Sequence, residues 1–320
     1  MGAAALTVNI SATAGEKDNA AASSRKLLDP ANVDQTVKPG DNFFMYANGS
    51  WLKANPIPST ETRWGSFNEL QENNYSALQT LLEEAAADKA ADKNSATWKV
   101  GAFYRSGMDL EKINAAGLSP LKPILDRINS INSQEALLKE IALEQTMGIG
   151  PLFAFYIAPD DKNVTNQVPQ FFQGGLGMPD RDYYFKTDPR TTSIREAYVK
   201  YLTDMLTLMK DEAPARTAKQ IVELETKLAE ASMTRVEMRD PYKLYNKHSK
   251  ASINKLTPGL NWNNLFAGLN IGGQDSMIIG QPQFFTVVGK QFSATPLSTW
   301  KKYLSFHLVN DMAPYLSKQF

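Results

Sequence analysis

The chain predicts a mainly α fold, a multi-helix domain with one or two short β-hairpins. Three observations carry this. Apolar side chains recur at helical spacing through most of the sequence. Serine, proline and glycine stand where helix starts and stops want them. Residues 152–158 (LFAFYIA) and 168–173 (VPQFFQ) break the pattern: both are short, apolar and aromatic, with Pro159-Asp160-Asp161-Lys162-Asn163 between them as turn chemistry.

The elements follow in order. Phe43, Phe44, Ala47 and Trp51 share one helical face, which Asn48-Gly49 interrupts. Pro56-Ile57-Pro58 forbids continuation, because proline lacks the amide hydrogen and fixes its own φ. Ser59 and Thr60 offer hydroxyls to cap a long helix over 64–87, with Phe67, Leu70, Leu78, Leu81 and Leu82 as its apolar stripe. A helix over 98–108 buries Trp98, Phe103 and Tyr104, and a further helical turn stops at Gly117. Ser119-Pro120 opens the next helix, with Leu121, Ile124, Leu125 and Ile128 facing the core. Ser133 caps another that carries Leu137, Leu138, Ile141 and Ala142 and ends at Gly148.

Beyond the hairpin, Gly174-Gly175-Leu176-Gly177 lacks both the phosphate-loop and the dinucleotide spacing, so it reads as a tight bend before a charged turn. Residues 191–210 are amphipathic through Ile194, Tyr198, Tyr201, Leu202, Met205, Leu208 and Met209. Pro214 opens a helix with Ile221, Leu224, Leu228 and Ala231 that ends at Arg239-Asp240-Pro241. Met277-Ile278-Ile279 is a short strand before a Gly280-Gln281-Pro282 turn. Thr295-Pro296 starts the last helix, with Trp300, Tyr303, Leu304, Leu308 and Tyr315 on one side. Both long stripes read as core rather than as a cofactor box.

Bulk properties bound the function. The chain has 320 residues, with 34 basic and 34 acidic side chains. Zero net charge supplies no field for nucleic acid or an anionic membrane, so no nucleic-acid partner is expected. No apolar run is long enough to span a bilayer. The absence of cysteine excludes disulfides, Cys-ligated zinc, thiol catalysis and a lipid-modified cysteine on these residues. Residues 1–28 are rich in Ala, Ser, Asn and Lys; Ala12-Thr13-Ala14 resembles a signal-peptidase site but no basic segment precedes it. That stretch is either the remnant of an export signal or a disordered tail.

The segment 41–70 carries a resemblance. Asp41, Phe43, Phe44, Tyr46, Ala47, Asn48, Gly49, Trp51, Leu52, Ile57, Pro58, then Arg63, Trp64, Gly65 and Phe67 match the opening signature of the neprilysin, endothelin-converting enzyme and PepO family of zinc metallopeptidases. Asn42 departs from it, since many members have a second acid there. A second match is Gly177-Met178-Pro179-Asp180-Arg181-Asp182-Tyr183-Tyr184. Asp240-Pro241-Tyr242 and residues 256–262 also resemble family segments. The likeness covers residues 29–320 and implies the family's N-terminal, mostly helical cap region, truncated before the thermolysin-like zinc domain. The expected location is the periplasm or the extracellular space, with the cytoplasm as the alternative.

The chemistry expected of such a peptidase is missing from these residues. The family's zinc motif H-E-x-x-H puts two histidines on one helical face with a glutamate as base. Here the two histidines, His248 and His307, are followed four residues later by Ser252 and Asp311. His307 lies on an apolar stripe and reads as a satisfied core histidine. Adjacent acids such as Glu83-Glu84 and Asp160-Asp161 do not face each other as an acid–base pair would. Catalytic and metal residues are therefore expected to be none, with zinc belonging to the full-length family enzyme. The resemblance implies a cap that admits short peptides to an enclosed zinc site in a catalytic domain further along the chain, so the fragment alone is expected to be inactive. The alternative is a non-catalytic helical module that binds peptides or a partner.

Arg63 is the candidate substrate-binding residue. It follows the proline break and opens a helix, and a guanidinium grips a carboxylate with two parallel hydrogen bonds. In the family the equivalent arginine contacts the C-terminal end of short peptides. Where neprilysin has an acid and a second arginine further along that helix, this chain has Asn68 and Gln71. The competing reading is that Arg63 merely pairs with Glu61 or Glu69.

Overall fold

The computed structural model describes residues 28–320. The expectation for residues 1–27 lies outside them. The chain divides into two compact units, up to Ala102 and from Phe103 onward.

In the first unit, Asn42 caps α1 (Phe43–Ala54) by accepting from the Met45 amide. Asn48-Gly49 does not interrupt this helix, contrary to the sequence reading. Gly49 is the buried residue of α1, and a Cβ there would sit 2.7 Å from that of Asp34. The glycine marks a close approach instead of a break. Asp34 accepts from Lys53 Nζ at 2.7 Å and from Thr36, which holds its carboxyl down at about 2. Phe43 and Phe44 are exposed, so the apolar face read from spacing is not the packed one.

Helix α2 (Ser66–Ala87) starts later than Ser59 and Thr60, which sit in a turn. Phe67, Leu70, Leu78 and Leu81 are exposed, and Ala85 is the buried residue of this helix. Helix α3 (Ala96–Met108) meets it where a Cβ on Gly101 would lie 2.1 Å from the Ala85 carbonyl oxygen. Phe103 is exposed, and Trp98 and Tyr104 are half-buried. Helical spacing shows that a face is apolar, but burial needs a second element lying against it.

The second unit holds most of the core. Helix α4 (Leu110–Ala116) is capped by Asp109 and closed by Gly117 at φ +54°. Helix α5 (Lys122–Ser130) buries Ile128, and α6 (Gln134–Thr146), capped by Ser133, buries Leu137, Leu138, Ile141 and Ala142. The hairpin forms as β1 (Phe153–Asp160) and β2 (Asn163–Gln173), antiparallel with Phe155 opposite Phe171. After α7 (Asp182–Phe185), α8 (Pro189–Leu208) and α9 (Pro214–Ala231) pack as a helical pair. α9 ends eight residues earlier than read: Ser232 turns to extended backbone, with its hydroxyl donating to the Leu228 carbonyl.

The remaining elements are α10 (Pro241–Leu244), β3 (Lys247–Ser249), α11 (Lys250–Leu256), α12 (Trp262–Gly268), β4 (Ser276–Ile279), α13 (Pro282–Ala294) and α14 (Leu297–Met312). The hairpin is extended into a mixed sheet of order β1-β2-β4-β3, with β4 parallel to β2 and antiparallel to β3. Phe171 is its aromatic centre, packed against Phe153, Trp262, Phe266 and Phe285. Trp300, Tyr303, Leu304 and Leu308 of α14 are fully buried; Tyr315, read onto the same face, lies past the helix end and is exposed.

Candidate functional site

Arg63 stands in the irregular segment just before α2 and not inside the helix. Its side chain is exposed and joins none of the ion pairs formed among the described residues, so pairing with Glu61 or Glu69 is not what the structure shows. Gly65 occupies the N-cap with extended backbone and therefore supplies no capping side chain. Its carbonyl accepts from the Asn68 and Glu69 amides. The Ser66 and Phe67 amides are left at the positive end of a 22-residue helix.

These groups border an open groove of about 510 Å³ that Arg63 shares with Trp64, Phe67, Asn68 and Gln71. A second groove of about 630 Å³ is lined by Trp64, Phe67, Glu69, Leu70 and Glu72. Phe67, shared by both, is 86% exposed. Gln71 does not reach toward Arg63 in the manner of a second cation; its amide nitrogen donates to the Tyr75 hydroxyl at 2.7 Å. The arrangement offers a fixed positive charge, two free backbone donors and an apolar ring. That set suits a carboxylate attached to an apolar side chain.

The other sequence signal, the Gly-rich bend into Pro179-Asp180-Arg181-Asp182, serves the core. A Cβ on Gly177 would fall 1.8 Å from the Tyr198 hydroxyl, and one on Gly175, at φ +74°, would fall 2.6 Å from that of Tyr303. The chain crosses directly above two buried phenols, which is why glycines stand there and not because they cradle a phosphate. Beneath the bend, Glu225 is fully buried and accepts from Tyr184, Tyr198 and His307. Burial first, then the Glu225 charge, pushes both phenols well above the usual tyrosine range, so they stay protonated donors. Sequence reading missed Glu225. The signal was available: an acid inside the stripe Ile221, Leu224, Leu228 is a charge on a core face and demands partners.

Neither histidine is placed to serve a metal. His307 faces Glu225, and His248 Nδ1 lies 3.1 Å from Ser252 Oγ. Among the described residues no three His, Cys, Asp or Glu side chains converge into a group that could hold a metal ion. No helix among them is long and apolar enough to cross a membrane.

A family model for peptidase family M13 matches residues 39–320. The chain belongs to peptidase family M13. Endothelin-converting enzyme 1 of Homo sapiens is 28% identical over 305 residues, covering 91% of this chain and 39% of that protein. Neprilysin-3 of Drosophila melanogaster is 27% identical over 314 residues, with 90% and 39% covered. The crystal structure of the Mycobacterium tuberculosis zinc metalloprotease Zmp1 in complex with an inhibitor superposes with a TM-score of 0.81 at 27% identity, over 91% of this chain and 45% of that one. PepO of Lactobacillus rhamnosis, at 13% identity and a TM-score of 0.66, shares the fold. The chain thus spans about two fifths of the length of the curated relatives it matches. It is an N-terminal region of an M13 peptidase, mainly helical, as the sequence predicted.

Proposed function

We propose that this M13 region gates and binds substrate in a zinc-dependent peptidase that hydrolyses short peptides, and that Arg63 holds the substrate's terminal carboxylate. The observation that carries the reading is the state of Arg63: exposed, unpaired among the described residues, and beside two uncapped amides at the start of α2. No bond-breaking step is assigned to the described residues. Their contribution is to bind and orient. The partners are then short peptides and the catalytic remainder of the enzyme, in the periplasm or outside the cell.

The test is Arg63→Met in an active peptidase that contains this segment. KM for short peptides with free carboxylates should rise about ten- to hundredfold, the worth of a charged hydrogen bond, while amidated peptides change little. Equal effects on both classes, or none, would make Arg63 structural. A second reading, a non-catalytic helical binding module, draws on the histidines being engaged within the fold. It would be favoured if the polypeptide of the whole gene binds such peptides without cleaving them.

A further inference from the structure

Three acids lie buried on the helices that flank α14: Glu225 on α9, and Glu140 and Glu144 on α6. Glu225 has three donors; Glu144, on α6, has none. Glu144 has no exposed surface, and neither carboxyl oxygen meets a hydrogen-bond partner. The guanidinium nearest in charge, Arg127 of α5, is already committed one turn earlier, its Nε and Nη2 lying 3.2 and 3.1 Å from the Glu140 carboxylate. From α14, Asp311 adds a like charge, and Tyr303 presents a phenol whose hydroxyl donates to the Pro151 and Gly175 carbonyls. Helix α12, which also packs on α6, carries no ionisable side chain. Among the described residues, the one group that favours the charge of Glu144 is a guanidinium that serves another acid.

The position has leverage. The Glu144 carbonyl accepts from the Met147 and Ile149 amides, closing the end of α6. The segment that follows leads through Leu152, which is fully buried, directly into β1.

We propose that Glu144 is a proton-operated latch on the contact between α6 and α14: while neutral it lets the two helices close, and opening that contact releases its proton to solvent. Burial, then the charge of Glu140, pushes the carboxyl up to about 8, with Arg127 opposing and Asp311 adding. An opened Glu144 returns to the ordinary carboxylate range. Opening is therefore coupled to the loss of one proton between that range and about 8, and levels off above it.

The test is amide hydrogen exchange of the chain from pH 5.5 to 9, with times scaled for intrinsic exchange. In the wild type, opening at the end of α6 and the facing turn of α14 should rise about tenfold per pH unit up to near 8 and then flatten. Glu144→Gln, which mimics the neutral acid, should be flat with pH and more protected at pH 8 and above. Asp311→Asn removes a like charge and should bring the plateau to lower pH. A pH-independent wild type, or a Glu144→Gln profile that follows the wild type, would overturn the proposal. If Glu144→Gln does not fold, an unmoved plateau in Asp311→Asn overturns it as well.

Discussion

His307 Nε2 lies 3.1 Å from Glu225 Oε1 in the middle of the larger unit, with the Tyr303 ring 4.3 Å from the imidazole. Written with the Glu225 carboxyl as acceptor, the contact makes His307 Nε2 the donor. Together with Tyr184 and Tyr198 it forms a three-donor cage around one buried acid, tying α7, α8, α9 and α14 to a single residue.

Removing the acid should therefore cost more than removing any one donor. Tyr198→Phe loses one hydroxyl and should cost about 1–2 kcal/mol. Glu225→Leu strands three buried donors, each with a desolvation cost of about 1–3 kcal/mol, and should be clearly the less stable variant. Urea denaturation of both decides it; equal losses would mean that the cage is not a unit.

Two glycines of α3 should respond in opposite directions. Gly101→Ala forces a Cβ to 2.1 Å from the Ala85 carbonyl oxygen, a backbone atom that can yield only if the helices part. A loss of about 1–3 kcal/mol is expected. At Gly107, in the same helix, a Cβ meets nothing within 4 Å, so Gly107→Ala should gain about 0.5–1 kcal/mol. Thermal melts of the pair check this.

Asp160 sets the acid limit of the hairpin. It accepts from Lys247 Nζ at 2.6 Å, from the Lys162 amide and from the Tyr245 hydroxyl, binding the end of β1 to β3. The Lys247 hydrogen bond leads in holding its carboxyl down at about 2. A lowered folded-state value means stability is complete above the ordinary aspartate range and is lost as pH falls toward 2. Asp160→Asn should lower Tm at neutral pH and flatten that acid limb. An unchanged Tm–pH profile would place the acid sensitivity elsewhere.

Within the proposed substrate role, Gln71 limits the grip on a free carboxylate. It lines the groove with Arg63 but spends its amide on Tyr75. Gln71→Arg, in the active peptidase, should lower KM about tenfold for short free-acid peptides and leave amidated ones unchanged. A KM that falls equally for both classes would indicate non-specific charge.

Much of this fold is local and so was legible. Ser133, Pro214, Gly117 and the turn at 159–163 act through their own backbone angles and hydrogen bonds, whatever lies around them. The motif that identified the family is likewise a matter of spacing, as was Arg63 as a candidate. What the sequence did not reveal depends on partners far along the chain. The parallel register of β2 with β4 joins residues more than a hundred positions apart, and β3 is too short to announce itself. Gly49 reads as a break until Asp34 is seen against it. The exposed ring of Phe103 and the buried charge of Glu225 obey the same rule. Composition and spacing determine which side chains share a face, but only tertiary packing decides which face is covered, because burial belongs to the pair of surfaces and not to either one.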